Sequence, residues 1–482
     1  MFWRGVLGYL PMNLVQGLVG LASIALFTRM LTPADYGAYA LAFSAMSLAH
    51  TLTFTWIEAA MARFHAAETE SGGLADLFAT LYRLWAVLAL GFVAAAGLVM
   101  ALWPGEGPVK LAIGAGLAAI LARSLVKLVQ ERRRAAGDVR GAAGLDICLT
   151  LGAFVLGVGL ILAGWRGAAP LAGAGAAAAI AMIFILPGEL RRGDGGRFSP
   201  ARARSYAIYG APVALSLILA LALATTDRFL LAWYLGEGAV GVYHAGYSLA
   251  NRTLDVMFIW LGAAGGPALI VALERGGAVA LAKAAREQAS LMIALALPAC
   301  VGLALVAHPL AEVMVGPSLR DGAAQVTPWI AVSALFAGLT TYYSHQAFTL
   351  GRRTDLLLAA MSLPALANLA LNLVLIPRFG LQGALWATTA SYGLGLGASL
   401  VLGRRAQPLP LPLGELARAG AASLVMGATV AALPSLGGVA ELALKAGVGA
   451  LVYAGAAFAL DVGALRSRAG GVALLLRQRM AA

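Results

Sequence analysis

Charge is scarce in this chain. Charged residues fill 12% of the 482 positions, against about 25% in a soluble domain, while hydrophobic residues fill 61%. No soluble core hides that much apolar surface, so the solvent for most of the chain is lipid. Cysteine is nearly absent. Cys148 and Cys300 are the only two, and both fall in apolar runs, which excludes a disulfide framework. The five histidines are scattered and give no metal-ligand spacing, so neither a metal nor another cofactor is expected. The sequence holds no G-x-x-x-x-G-K-[ST] phosphate loop, which argues against ATP as the fuel within this chain. Long hydrophilic loops are missing as well, leaving no room for a separate soluble domain.

What the chain has instead is a succession of fourteen apolar stretches, near 6–27, 36–60, 77–103, 109–129, 145–164, 168–186, 206–235, 239–262, 290–313, 326–349, 356–376, 381–402, 413–433 and 442–460. A run of about 20 residues crosses a hydrocarbon core of roughly 30 Å. Backbone groups in lipid must find partners within their own segment, so each stretch is expected to be a helix. The first could be mistaken for a signal peptide. It is too long for that, lacks a small-x-small cleavage site and carries Asn13 and Gln16 midway, so a retained helix is expected.

The net charge of +12 would suggest nucleic acid in a soluble protein, but its placement says otherwise. With the N-terminus cytoplasmic, 24 of the Lys and Arg residues fall on the inner side and 6 on the outer. Four more, Arg123, Arg228, Arg252 and Arg418, lie within the spans. This positive-inside bias places both termini in the cytoplasm, and no nucleic-acid partner is expected.

The halves repeat. Residues 31–39 read LTPADYGAY and 235–243 read LGEGAVGVY, an offset of 204. LILAGWRG at 160–167 matches LVLIPRFG at 373–380, an offset of 213, and Gly137 matches Gly351 at 214. The offset covers an even number of helices, so the halves share one orientation, with a substrate path between them. The expected organisation is an N-lobe at 1–188, a basic linker at 189–205, a C-lobe at 206–405, and a terminal pair with a basic tail at 406–482. The tail, 462–480, is expected to lie along the inner leaflet as an interfacial helix, with a frayed basic tail as the alternative.

Ionisable groups at membrane depth are costly unless they face a wet cavity or a partner. In the eighth span Tyr243, Tyr247, Asn251 and Asp255 step by four along one helical face, with His244, Ser248 and Arg252 on the adjacent row. Arg252 and Asp255 are close enough in sequence to pair. Such a stripe reads as cavity lining; the alternative is an Arg–Asp pair that only locks helices together. The first span adds Asn13, Gln16, Gly20 and Ser23, with Arg29 at its outer end, where an interfacial anchor is the competing role. Asp227 and Arg228 sit near the outer end of the seventh span. Tyr342, Tyr343, His345 and Gln346 sit toward the inner side of the tenth. Glu58, Arg63, Arg83, Arg123 and Lys127 suggest a basic inner vestibule, though positive-inside bias explains most of them.

Three segments carry a family resemblance: RMLTPADYGAYAL at 29–41, NLVLIPRFGLQGALWAT at 372–388, and Asp227–Arg228 followed by LGEGAVGVYHAGYSLA at 235–250. Together they resemble polysaccharide repeat-unit flippases of the Wzx type, the polysaccharide branch of the multidrug/oligosaccharidyl-lipid/polysaccharide exporter superfamily. The resemblance implies an all-α integral membrane protein, with two homologous six-helix bundles around a central cationic cavity plus two accessory helices. It implies a transporter, not an enzyme, in the bacterial inner membrane. Its task would be to move undecaprenyl-pyrophosphate-linked oligosaccharide units to the outer leaflet for exopolysaccharide or O-antigen assembly. The implied partners are that glycan, the bilayer and, as a candidate, a glycan polymerase. By position, Arg29, Asp227 and Arg228 match motif residues. Asn13, Gln16, Tyr247, Asn251, Arg252, Asp255 and Gln346 are expected cavity residues on the polarity argument, and Asp227, Asp255 and Glu58 are candidate coupling carboxylates. Export of small cations, and glycan polymerisation, are the competing functions. The Arg content opposes the first, and the absence of a long outer loop the second.

Overall fold

The computed structural model describes residues 2–104 and 107–466. In chain order the helices are α1 (Phe2–Met30), α2 (Pro33–Thr53), α3 (Thr55–Ser71), α4 (Leu74–Leu102), α5 (Pro108–Ala135), α6 (Val139–Leu162), α7 (Ala169–Arg191) and α8 (Pro200–Leu235). They continue with α9 (Glu237–Leu305), α10 (Ala307–Met314), α11 (Pro317–Leu339), α12 (Gln346–Leu350), α13 (Thr354–Ala406), α14 (Leu413–Ala431) and α15 (Gly438–Ala459). Among the described residues there is no strand.

Among the described residues ten helices are long and apolar enough to cross a membrane, or eleven with the bent pair α2–α3 taken as one span. Two of these cannot be single crossings. The 69 residues of α9 extend roughly 100 Å at about 1.5 Å per residue, against a hydrocarbon core of about 30 Å. The 53 residues of α13 extend roughly 80 Å. Each is broken once, α9 at Gly277 (φ 62°, ψ −157°) and α13 at Gly380 (φ 57°, ψ −135°), where a residue without a Cβ tolerates positive φ. With two crossings in each, and with the 19-residue α14 added although it is less apolar than the ten, the described residues accommodate the fourteen spans that the hydropathy pattern leads one to expect.

Two boundaries differ from the sequence reading. Residues 263–289 are helical on both sides of Gly277 instead of forming a connection, because this Ala-, Leu-, Glu- and Arg-bearing segment favours helix beyond the lipid. The second span likewise continues through α3 to Ser71. Most of the expected tail helix lies outside the described residues; Val462–Ala464 form a 3₁₀ turn.

Residues up to His244 form one compact unit and those from Ala245 a second. In the first, α8 packs on α2, α3 and α4. Tyr206 of α8 is buried against Phe64 of α3, with ring centroids 5.0 Å apart. Arg202 reaches Glu68 at 3.2 Å and Asp76 at 2.8 Å. The expected linker residues are held too: Arg197 N–H donates to Asp76 at 2.8 Å.

The LTPADYG motif has a local explanation. Thr32 caps α2, its Oγ1 accepting from Asp35 N–H at 3.1 Å and donating to Asp35 Oδ2 at 2.8 Å. Pro33 takes the first helical position, where a missing N–H costs nothing. Gly37 permits a close approach. A Cβ on Gly37 would collide with the Glu237 carbonyl at the start of α9, and a Cβ on Gly241 with the Pro33 carbonyl. Pro33 and Gly37 precede Glu237 and Gly241 by the 204-residue repeat offset. The matching glycines of the two repeats therefore press reciprocally on each other's helix starts.

Further along, α2 and α3 meet at an angle of 51° about Phe54, which is fully buried against Trp85 and Phe92 of α4. In the second unit, Ile293, Ala419, Ala422, Ala457 and Val462 form a small core that joins α9, α14 and α15. Tyr453 Oη donates to the Ala294 carbonyl at 2.6 Å across the same contact.

Candidate functional site

The first unit holds a half-open cavity of about 450 Å³, lined by polar and apolar groups alike. Six helices contribute. Helical spacing of three and four residues puts Arg123, Val126, Lys127 and Gln130 on one face of α5, and that face lines the cavity. Facing it are Phe43, Ser47, His50 and Thr51 of α2, and Asp146, Thr150 and Ala153 of α6. Gln16 of α1, Ala174 and Ala178 of α7, Leu221 of α8 and the apolar Met46, Ile120 and Leu149 complete the lining.

The charges in this lining are not equivalent. Asp146 is buried and occupied: Gln130 Nε2 donates to Oδ1, and Arg134 sits 3.0 Å from Oδ2. Glu131 in turn engages Arg134 at 2.9 Å and Lys127 at 3.3 Å. Arg123 differs. Among the described residues no carboxylate lies within 4.0 Å of it, and its exposed surface belongs to a side chain that lines the cavity. A guanidinium presents five donors in a planar fork suited to carboxylate or phosphate. The cavity thus holds one uncompensated cation beside a partly compensated one, with amide and hydroxyl groups around them. Chemically it suits an anion that bears hydroxyl groups.

The wall behind the cavity is pinned by a buried ion pair. Glu189 of α7 accepts from Arg132 Nη2 of α5 at 2.8 Å, and Arg132 Nε lies 2.8 Å from its other oxygen. Tyr82 of α4 donates to the same carboxylate at 3.0 Å. A bidentate pair fixes orientation as well as distance, so α4, α5 and α7 are held in register. At the bend of the second span, His50 Nε2 lies 2.9 Å from Glu58 Oε1. The two residues are eight apart, about 12 Å along a straight helix. The bend between α2 and α3 brings them together.

The expected site residues fall in several places. Gln16 lines the cavity, as do Arg123 and Lys127 of the expected vestibule. Arg63 and Arg83 are exposed and do not. Asn13 is exposed on α1. Arg29 is exposed and donates to the Ala25 carbonyl at 2.8 Å. Asp227 and Arg228 are buried. Tyr243 Oη donates to Asp227, and Arg228 Nη1 donates to the Ala224 carbonyl at 2.9 Å. Glu58 is buried and engaged by His50. In the second unit, Tyr247, Asn251, Asp255 and Gln346 are half-buried and Arg252 is exposed.

One expectation needs correcting. Among the described residues no ion pair closes between Arg252 and Asp255; the Asp255 carboxylate accepts from Asn251 Nδ2, one turn earlier. Asn251 holds the position directly beneath Asp255 on the helix face, while the longer Arg252 side chain turns outward. Close by, Tyr342 stacks on Phe258 with centroids 6.1 Å apart and planes 5° apart. Tyr342 belongs to a π-helical turn, Thr340–Ser344, of a kind often found at functional sites.

The sequence reading missed His50, Gln130 and Asp146. The signal for His50 was present: Ser47, His50 and Thr51 stand at helical spacing in an apolar run. Gln130 and Asp146 are single polar residues on separate spans, and only the packing of α5 on α6 unites them.

The family model described as polysaccharide biosynthesis protein matches residues 26–321. No curated protein sequence matches the chain. Among solved structures, the lipid II flippase MurJ in an inward closed conformation aligns with TM-score 0.73 at 13% identity, covering 94% of this chain and 98% of MurJ. An inward-facing multidrug resistance MATE transporter of the MOP superfamily aligns with TM-score 0.63 at 13% identity, covering 82% of this chain and 93% of the transporter. A MOP superfamily transporter from Pyrococcus furiosus, described by a reversed polarity of its binding pocket, aligns with TM-score 0.57 at 13% identity, covering 84% and 93%. At such identities the likeness is one of fold.

Proposed function

The chain belongs to the polysaccharide biosynthesis protein family, and from that premise we propose that it is a flippase for undecaprenyl-pyrophosphate-linked oligosaccharide units. It would carry them from the inner to the outer leaflet of the bacterial inner membrane for exopolysaccharide or O-antigen assembly. The observation that carries this reading is Arg123: a cation among lipid-embedded helices, without a carboxylate partner among the described residues, lining a half-open cavity of about 450 Å³. A cavity of that size is within the range of about 300–1,000 Å³ that ligand sites occupy.

A pyrophosphate with its sugars cannot cross hydrocarbon unaided, because its charges and hydroxyls would lose their hydrogen bonds. Arg123 and Lys127 replace that hydration with charge-assisted bonds. Gln16, Ser47, Gln130 and Thr150 meet sugar hydroxyls. The Asp146–Arg134 pair adds no net charge, so the grip on the headgroup stays moderate and release is possible. In the second unit, Tyr247, Asn251, Arg252, Asp255 and Gln346 serve as further sugar- and phosphate-contacting groups, and Asn13, Arg29 and Arg228 as further polar groups of the path. An interior-negative potential favours expulsion of an anion by about 2.3 kcal/mol per charge per 100 mV. Glu58, paired with His50 across the bend of the second span, is the foremost carboxylate for ion coupling, ahead of Asp227 and Asp255. Export of a small cation is disfavoured by the unmatched charge of Arg123.

The test is leaflet accessibility of an undecaprenyl-pyrophosphate-linked oligosaccharide in proteoliposomes, read by a lectin added outside. The wild type is expected to expose the glycan, and Arg123→Ala to lose at least tenfold in rate. Arg123→Lys should keep part of the activity, since charge is retained but the fork is lost. An Arg123→Ala protein that flips at the wild-type rate would overturn the assignment.

A further inference from the structure

A second cavity, of about 380 Å³, lies in the second unit between α9 and the start of α14. Arg286 and Ser290 of α9 form one side, and Leu413, Gly414, Glu415 and Arg418 of α14 form the other. It has no part in the function proposed above. We propose that it binds the phosphate headgroup of an anionic phospholipid.

Several independent features converge there. Both arginines are exposed. Among the described residues Arg286 has no carboxylate within 4.0 Å, while Arg418 lies 3.3 Å from Glu415. The Glu415 carboxylate is occupied on its other oxygen, which accepts from Gly463 N–H at 2.8 Å, so it does not cancel both cations. Pro412 stands at the N-cap of α14, and no side chain caps that helix. First-turn amides and the positive end of the helix dipole therefore add to the field of the two arginines. Ser290 supplies a hydroxyl donor.

The recess is built rather than loose. Tyr343 Oη donates to the Pro410 carbonyl, anchoring the connection that precedes α14, and Tyr453 ties α15 to α9.

The surroundings select a lipid over a soluble anion. Leu413 and Leu416 of α14 and Leu291 and Leu295 of α9 are exposed large apolar side chains on the two helices that form the recess. In a chain that crosses the membrane, such leucines meet acyl chains. A phosphate held by Arg286 and Arg418, with its tails over these leucines, satisfies both surfaces at once. The charge bias of the loops assigns this end of the helices to the inner leaflet, where anionic headgroups and basic inter-helix pockets meet.

The experiment reconstitutes the full-length protein in bilayers of equal phosphatidylglycerol and phosphatidylcholine, extracts it in mild detergent and counts retained lipid by native mass spectrometry. The wild type is expected to retain phosphatidylglycerol in preference to phosphatidylcholine. Arg286→Gln with Arg418→Gln should weaken that retention roughly 30-fold, taking two near-surface cations at their usual worth. Arg404→Gln with Arg405→Gln, which removes two exposed cations elsewhere, should leave it unchanged. Ser290→Leu, which narrows the recess and keeps both charges, gives an independent arm and should also weaken retention.

Equal retention of the two lipids by the wild type would overturn the proposal. So would the same loss in the Arg404/Arg405 variant, or full retention in both Ser290→Leu and the Arg286/Arg418 variant. Displacement of phosphatidylglycerol by millimolar inorganic phosphate would reassign the recess to a free anion and refute the lipid.

Discussion

Adding a single methyl group at Gly37 should push α2 away from the start of α9. At Gly37 the new Cβ meets the Glu237 carbonyl, and at Gly241 it meets the Pro33 carbonyl. Both obstacles are backbone, so no side chain can swing aside. Real Cβ atoms essentially never come within 3.0 Å of such an atom, so the two helix starts must part before either methyl fits. Overpacking of this kind costs about 1–3 kcal/mol, which shifts an equilibrium between closed and parted forms by roughly 5–150-fold. Because the two contacts are reciprocal, parting the helices for one methyl makes room for the other. Gly37→Ala and Gly241→Ala together should therefore cost less than the two added separately. The assay is the distance distribution between nitroxides at Ala34 and Gly238, measured by double electron–electron resonance. Ala34 is exposed, and a Cβ at Gly238 meets nothing within 4 Å. Gly91→Ala is the control, since nothing lies within 4 Å of that position either and only helix propensity changes there. A short-distance population in Gly37→Ala equal to that of the wild type, or a matching shift in Gly91→Ala, refutes the reasoning.

Other perturbations probe the walls of the first unit's cavity. Glu189→Ala leaves the buried Arg132 without its carboxylate and should destabilise the protein by about 3–5 kcal/mol; Tyr82→Phe, which removes one hydrogen bond to Glu189, should cost only about 0.5–1.5 kcal/mol. Thermal unfolding in detergent orders the two, and a reversed order would remove Glu189 as the pin of α4, α5 and α7. Glu58→Gln removes the carboxylate that His50 meets across the bend and should widen the distribution of angles between α2 and α3, read by spin labels at Ser47 and Ala67. An unchanged distribution would show that packing of Phe54 alone sets the bend.

The fourteen crossings were legible because each needs about 20 apolar residues, and the breaks in α9 and α13 fall where the pattern separates spans. The repeat was legible as well, through Gly37 and Gly241. Nothing in the sequence told that these glycines touch each other's helix starts; that needs the close approach of α2 to α9. The extension of α9 through residues 263–289 was hidden, since hydropathy ends a span at the edge of the lipid while helix propensity does not. The site was harder still. Isolated polar residues such as His50, Gln130 and Asp146 each look incidental on their own span, whereas Gln16 stood out beside Asn13, Gly20 and Ser23. A stripe such as Tyr247, Asn251 and Asp255 stands out because one helix carries it all.

The four cations within spans show why position in the sequence ranks them poorly. Arg228 is buried and donates to a backbone carbonyl of its own helix, which meets part of its hydrogen-bonding need within the protein. Arg418 stands at the start of α14, 3.3 Å from Glu415, whose other oxygen accepts from Gly463 N–H. Arg252 sits on the most polar stripe of the chain yet is exposed, and the carboxylate expected to hold it takes an amide from Asn251 instead. Arg123 sits in an apolar stretch with little polar company in sequence. The fold gives it a cavity with hydroxyl and amide groups from three other helices and, among the described residues, no carboxylate within 4.0 Å, since Asp146 of the same lining is engaged by Gln130 and Arg134. A charge in a membrane interior is expensive unless something compensates it. Among the described residues no carboxylate lies within 4.0 Å of Arg123, so under the proposed function the substrate's phosphate is its counter-charge. Arg123, rather than Arg252, is therefore the first position to substitute.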